Sequence, residues 1–299
     1  MFFGVSPPLC ERIYMKKIIV TGCNGQLGRA VNDYYKNSTE YELVNTDTAE
    51  GFDNLDITDL QALDAFFEKV KPYAVINCAA FTNVDACESK EDIAFKVNAI
   101  GPRNLAIVSE KYGAKLVHIS TDYVFEGNEP SPRKETDPTG PIGAYGRTKL
   151  AGENFVKAFS KHYFIIRTAW LYGDGKNFVR TMLNAAKTRD EVTVVSDQIG
   201  SPTSAKELAK AIGVLVPTEN YGTFHGTCEG VCSWADFTEE IYRLAGVKTK
   251  VTHITSDQYP SPTKRPAYSV LDNYMFRQTT DFVFADWKDA IKEYLESEK

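Results

Sequence analysis

The chain has 299 residues, of which 43% are hydrophobic and 25% charged, and a net charge of −6. Such a composition belongs to a globular chain with room for one large domain or two modest ones, and it excludes disordered and fibrous classes. There is no basic block and no apolar run of membrane-spanning length, so neither a nucleic-acid partner nor a membrane is expected.

Residues 1–14 lack the early basic region and long apolar stretch of a signal peptide. They carry Pro7-Pro8, and a strand begins directly after Met15. They read as an extension outside the core, either the product of an upstream start codon or a cover for a surface or an oligomer contact. From there strands and helices alternate. Residues 17–21 (KIIVT) form a short β-branched run of the kind buried on both faces of a parallel sheet. A helix is expected over 28–36 and a strand over 41–47. A second helix is expected over 58–71, where Thr58 and Gln61 have capping-box spacing. Then come a strand at 74–78, a long helical stretch over 89–112, a strand at 115–120, a helix at 145–159 and a strand at 163–168. This alternation predicts an α/β fold, a doubly wound (Rossmann) parallel sheet.

After Trp170 the pattern loosens. Helical stretches at 178–187, 205–216, 234–245 and 286–296 are separated by loops containing Pro and Ser. The expected organisation is a dinucleotide-binding domain over 15–170 and a smaller, mainly substrate-binding C-terminal region over 171–299. Segments near 203–228, such as 222–226, return to the sheet. The six cysteines are irregularly spaced, and Cys228 and Cys232 do not make a zinc pair. Reduced cysteines in a cytoplasmic protein are expected, with no metal.

Gly22, Gly25 and Gly28 lie between the first strand and the first helix. Gly22 would permit the turn, Gly25 would let the backbone approach a pyrophosphate, and Gly28 would let helix and strand pack closely. The helix start then holds the anion through its free N–H groups. Asp47 ends the second strand, where an acid accepts hydrogen bonds from a ribose and repels a 2′-phosphate. No Lys or Arg lies at 45–52, so NADH is expected ahead of NADPH. Asp56 reads equally as a neighbour of the adenine or as a turn cap.

Tyr145 and Lys149 are four apart, on one helix face. A nearby ammonium lowers the pKa of a phenol and makes it a usable proton donor at neutral pH. Ser120-Thr121-Asp122 ends a strand, and active sites of parallel sheets form beyond strand carboxyl ends. Thr121 is thus placed to hold the carbonyl that Tyr145 protonates. Asn77-Cys78-Ala79-Ala80 ends another strand with small residues where a nucleotide can lie. Asn98 reads either as part of a proton relay or as a polar core residue.

In this order and spacing, TGCNGQLG, NCAA, STDYVF and YGRTK resemble the extended short-chain dehydrogenase/reductases, from about Lys16 to the C-terminus. Further stretches narrow the likeness to the dTDP-4-dehydrorhamnose reductases of that family: residues 80–85, 145–153, 167–172, 177–178, 197–203 and 265–266. The resemblance implies reduction of a nucleotide-linked 4-keto-6-deoxy sugar by NAD(P)H. It implies Thr121, Tyr145 and Lys149 as catalytic residues. Implied cofactor contacts are Gly25, Gln26, Leu27, Asp47, Asp56, Ile57, Ala79, Ala80, Phe81 and Ile119. Thr121, Asp122 and Trp170 match sugar contacts, with Trp170 an apolar wall or else an ordinary core tryptophan, and Asn177 and Arg265 match ligands of the nucleotide diphosphate. Some reductases of this kind carry a metal between subunits, whose ligands no motif here supplies.

Related dehydratases carry Glu where this chain has Tyr123, which favours simple reduction. The alternatives are a reductase or epimerase acting on another nucleotide sugar, and a non-catalytic partner like the regulatory subunit of methionine adenosyltransferase, which shares the fold. A homodimer is the general expectation for a soluble oligomer.

Overall fold

A computed structural model describes residues 15–259 and 261–298. The expected extension at 1–14, with Cys10, lies outside the described residues. Chain order gives β1 (Lys16–Thr21), α1 (Gln26–Tyr35), β2 (Tyr41–Asp47), β3 (Asp53–Asn54), α2 (Leu60–Val70) and β4 (Ala74–Asn77). Then follow α3 (Val84–Ser89), α4 (Glu91–Phe95), a π-helical turn (Lys96–Ile100), α5 (Gly101–Tyr112), β5 (Lys115–Thr121), α6 (Ala144–Phe159) and β6 (Tyr163–Thr168).

The second half contains β7 (Leu171–Tyr172), α7 (Phe178–Ala186), β8 (Glu191–Val195), β9 (Ile199–Gly200), β10 (Thr203–Ser204) and α8 (Ala205–Leu215). After these come β11 (Gly222–His225), β12 (Cys232–Ser233), α9 (Trp234–Ala245), β13 (Lys250–Ile254), α10 (Tyr274–Thr279) and α11 (Trp287–Ser297).

Seven strands form one sheet in the order β11-β6-β5-β4-β1-β2-β3, and every pairing in it is parallel. The doubly wound Rossmann sheet is therefore present. The order in which strands are added reverses at β1, which lies between β2 and β4, so ligands are expected beyond the carboxyl ends of the strands there. The inner strands β1, β4, β5 and β6 are largely buried because both faces are covered, whereas the edge strand β3 is exposed. On one face Ile18, Val20, Ile76, Val117 and Ile166 pack with Val31 of α1, Leu208 and Ile212 of α8, and Phe276 of α10. On the other, Ile19, Val75, Leu116 and Ile165 pack with Leu63 and Phe67 of α2 and Leu105 of α5.

A third core lies outside the sheet. Val179, Val192, Phe237, Ile241, Trp287 and Ile291 join α7, β8, α9 and α11 there. The parallel pair β8 and β13 flanks it.

Two local expectations are corrected. The cap of α2 is Asp59, whose carboxylate accepts from Gln61 N and Ala62 N at 3.0 Å each, and not Thr58. Either residue type can cap, but here the chain turns one residue later, with Asp56 accepting from Thr58 N at 2.8 Å. The long stretch at 89–112 is not one regular helix, because α3 ends at Ser89 and the π-helical turn interrupts the run that follows. That turn carries Asn98, which holds Phe81 by its backbone on both sides: Phe81 N donates to Oδ1 at 2.8 Å, and Nδ2 donates to Phe81 O at 3.0 Å.

Candidate active site

The loop after β1 is built around backbone contact. Gly22 has a left-handed φ of 64°, and a Cβ on it would lie 2.7 Å from Ala79 N. A Cβ on Gly28 would lie 2.4 Å from Gly22 O and 2.5 Å from Cys23 Cα. Both positions thus exclude any side chain, and the loop is drawn tightly over the start of α1. Gly25 is the N-cap of that helix and supplies no side-chain cap, so the first-turn N–H groups point outward for an anion.

A cleft of about 890 Å³ opens beside this loop. Gly22, Gly25, Asp47, Asp56, Ile57, Ala79 and Ala80 line it, together with Cys78 and Lys96. Seven residues singled out from the sequence as cofactor contacts thus share one wall. Asp47 also shapes the loop, accepting from Asn24 N and Ala49 N at 3.0 Å each. Asp56 takes both of its readings, since it caps a turn and lines the cleft.

Other expected contacts lie elsewhere. The Leu27 side chain is in the core, and Gln26 Oε1 accepts from Gly173 N at 2.8 Å. Phe81 packs with Cys87, Ala94, Ala144 and Tyr145, and Ile119 offers its carbonyl to Lys149.

Thr121 ends β5 level with Thr168 of β6. Its hydroxyl donates to Asp122 Oδ1 at 2.8 Å and accepts from Tyr123 N at 3.3 Å, closing the turn after the strand. α6 brings Tyr145 to this turn, and the close approach depends on Gly146, where a Cβ would lie 2.1 Å from Tyr123 O. The rings of Tyr123 and Tyr145 then meet edge to face, 5.5 Å apart. In the sequence, the signal for Gly146 is its place between Tyr145 and Lys149 in the helix.

Burial dominates the electrostatics here. It pushes the Tyr145 phenol up, with the Asp122 charge acting in the same direction and the Thr121 hydroxyl opposing it. Burial pushes the Lys149 ammonium down to about 8, against the pull of Glu153. Lys149 Nζ donates to Ile119 O of β5 and makes no hydrogen bond to the phenol. Asp122 is buried, with Oδ2 unpartnered, and burial raises its carboxyl to about 6.

Beyond Lys149 on α6, Glu153 receives Ser120 Oγ at 2.6 Å, Arg167 Nε at 2.8 Å and an Arg167 terminal nitrogen at 2.7 Å, all buried. The sequence shows Glu153 four residues after Lys149, but its partner on β6 is visible only in the fold.

The remaining expected sugar-nucleotide contacts are spread out. Trp170 follows β6 at the same sheet edge. Arg265 reaches Asp85 at 3.5 Å and has a buried, unpartnered Nε. Asn177 caps α7 through Arg180 N, and its Nδ2 donates to the carbonyls of Gly173 and Gly175, so its amide holds the 173–177 turn. Among the described residues no group of three or more His, Cys, Asp or Glu is placed to hold a metal, and no helix is long and apolar enough to cross a membrane.

Fold and site together define a dinucleotide-binding protein of the short-chain dehydrogenase/reductase type. Residues 15–299 match the RmlD substrate binding domain, and the chain belongs to that family. A solved dTDP-4-dehydrorhamnose reductase from Clostridium acetobutylicum is 52% identical, with a TM-score of 0.91, covering 94% of this chain and 99% of that one. One from Bacillus anthracis, in complex with NADP, is 39% identical with the same TM-score, covering 95% and 100%. The spore coat polysaccharide biosynthesis protein SpsK of Bacillus subtilis is 40% identical over 283 residues, 94% of this chain and 98% of the relative.

Proposed function

We propose that this chain reduces dTDP-4-dehydro-6-deoxy-L-mannose (dTDP-4-dehydrorhamnose) to dTDP-L-rhamnose with NADH or NADPH. The observation that carries this reading is the meeting of Thr121 and Tyr145 at the carboxyl edge of the sheet, with Lys149 buried behind them and a glycine-built anion cradle alongside.

Ketone reduction needs a hydride at carbon and a proton at oxygen. Gly22, Gly25, Gly28, Asp47, Asp56, Ile57, Ala79 and Ala80 would hold a reduced nicotinamide dinucleotide, which would supply the hydride. Tyr145 gives the proton to the forming alkoxide, and Thr121 holds that oxygen as charge develops. Lys149 lies buried one helical turn from Tyr145, where its charge stabilises the phenolate left behind. Trp170 forms an apolar wall for the sugar ring, Asp122 contacts the sugar, and Arg265 meets the diphosphate. Asn177 serves this region by fixing its turn. The 171–299 region forms the substrate side, the enzyme works in the cytoplasm, and its assembly is a homodimer.

Tyr123 lies against Tyr145 where a dehydratase would need a carboxylate, which supports reduction over elimination. Tyr145→Phe removes one oxygen and leaves the cradle alone. It should abolish reduction while cofactor titration stays within about twofold of the parent. Equal loss of both would refute Tyr145 as the proton donor.

A further inference from the structure

Trp170 has a left-handed backbone, with φ 49°, shared among described non-glycine residues only with Lys71. A bulky side chain rarely adopts this conformation, and it persists only where the surroundings over-determine it. Three contacts do so. Thr203 N donates to Trp170 O at 3.2 Å. The indole edge runs against Gly200, where a Cβ would lie 2.5 Å from Cε2. Its face lies on Trp234, with ring centroids 3.5 Å apart and planes 8° from parallel.

Trp234 is itself well seated. It is the first residue of α9, directly after a full capping box in which Asp236 N donates to Ser233 Oγ at 3.1 Å and Ser233 N to Asp236 Oδ2 at 2.9 Å. Phe178 packs on it with centroids 4.5 Å apart. β12 pairs antiparallel with β9, Cys232 opposite Gly200. That one pair of strands therefore fixes both the glycine that admits the Trp170 ring and the helix start that carries its partner. Trp170 itself lies two residues past Thr168, which is level with Thr121.

We propose that Trp234 is a positioning residue for the sugar site: with Gly200 it clamps the Trp170 indole so that this ring presents a fixed wall to the keto sugar. The proposal rests on Trp170 being that wall. Losing a stacked partner should then weaken use of the sugar nucleotide by roughly three- to tenfold and leave the cofactor untouched.

The test uses Trp234→Phe, Trp234→Ala, Trp170→Phe, Trp170→Ala and the double alanine variant. The chain has three tryptophans, so a face-to-face pair should give an exciton couplet in circular dichroism that either phenylalanine variant abolishes. Trp234→Ala should raise KM for the keto sugar about tenfold with cofactor affinity unchanged. Trp234→Phe should recover most of that loss, and the double alanine variant should be no worse than Trp170→Ala. If Trp234→Ala does not fold, Gly200→Ala drives a methyl into the ring and should disturb the couplet and raise KM in the same way. A couplet surviving in Trp234→Phe, a sugar KM within twofold of the parent in Trp234→Ala, or additive alanine effects would overturn the proposal. Should the parent enzyme reduce no nucleotide-linked keto sugar, the functional reading fails, while the couplet still decides whether Trp234 holds Trp170.

Discussion

Glu153→Gln removes one charge from the pair beneath the catalytic strand and changes little else in shape. In the parent, Glu153 is 0% and Arg167 3% exposed by side chain, and two hydrogen bonds of 2.7 and 2.8 Å join them. Taking one charge from such a pair leaves the other buried and uncompensated, at a typical cost of about 3–5 kcal/mol. Glutamine keeps an acceptor for Ser120 and Arg167, so about 3 kcal/mol is expected. At the unfolding entropy usual for a chain of this length, that lowers Tm by roughly 5 °C.

Burial alone would raise the Glu153 carboxyl, but Arg167 and Ser120 hold it below the ordinary glutamate range. A depressed acid stabilises the fold above its unfolded pKa and loses that contribution as pH falls through the folded value. The difference between parent and variant should therefore be full at neutral pH and shrink only below about pH 4. Urea unfolding at several pH values measures it. The double replacement Glu153→Leu with Arg167→Met, apolar at both positions, should be more stable than Glu153→Gln. A variant within 1 kcal/mol of the parent at pH 7, or a double replacement weaker than the single, would refute the role given to this pair.

Gly28→Ala places a methyl inside the backbone of the phosphate loop; losing one or two charge-assisted amide contacts should weaken cofactor binding by roughly a hundredfold, read by fluorescence titration. Because Lys149 must stay charged and burial holds it to about 8, kcat/KM should fall as pH rises through about 8 rather than above 10, and a profile flat to pH 10 would contradict this. Asp122 has its folded pKa raised to about 6. The fold thus favours its protonated form, and stability should decline by about 3 kcal/mol as pH rises from about 4 to 6; Asp122→Asn should remove that slope in urea unfolding. With Asp47 proposed as the ribose partner, initial rates should be faster with NADH than with NADPH at equal concentration, and the reverse order would point to Lys96 in the same cleft as the partner of a 2′-phosphate.

Much of this architecture was legible where local pattern and burial agree. β2 and α9 match their expected bounds because a turn signal or a strong cap closes each one. The cofactor wall was legible because its glycines and small residues follow strand ends, and a parallel sheet gathers strand ends at one edge. What escaped depends on contacts between distant segments. The pairing of β8 with β13 joins residues about 60 apart, and the capture of Phe81 by Asn98 spans 17. A helical pattern gives no sign of the π-helical turn, and no motif points from Glu153 to Arg167 or from Trp170 to Trp234. Asn177 was found by likeness, but its amide's hydrogen bonds, and so its part in the turn, needed coordinates.

The most direct test of the central claim is turnover. The purified protein is mixed with NADH or NADPH and with dTDP-4-dehydro-6-deoxy-L-mannose generated in situ, and loss of reduced-cofactor absorbance is followed with the product separated by chromatography. The account predicts rapid oxidation of the cofactor and dTDP-L-rhamnose as product, both lost in Tyr145→Phe. Measurable cofactor binding with no oxidation by either nucleotide would contradict it and favour another keto sugar or a non-catalytic role.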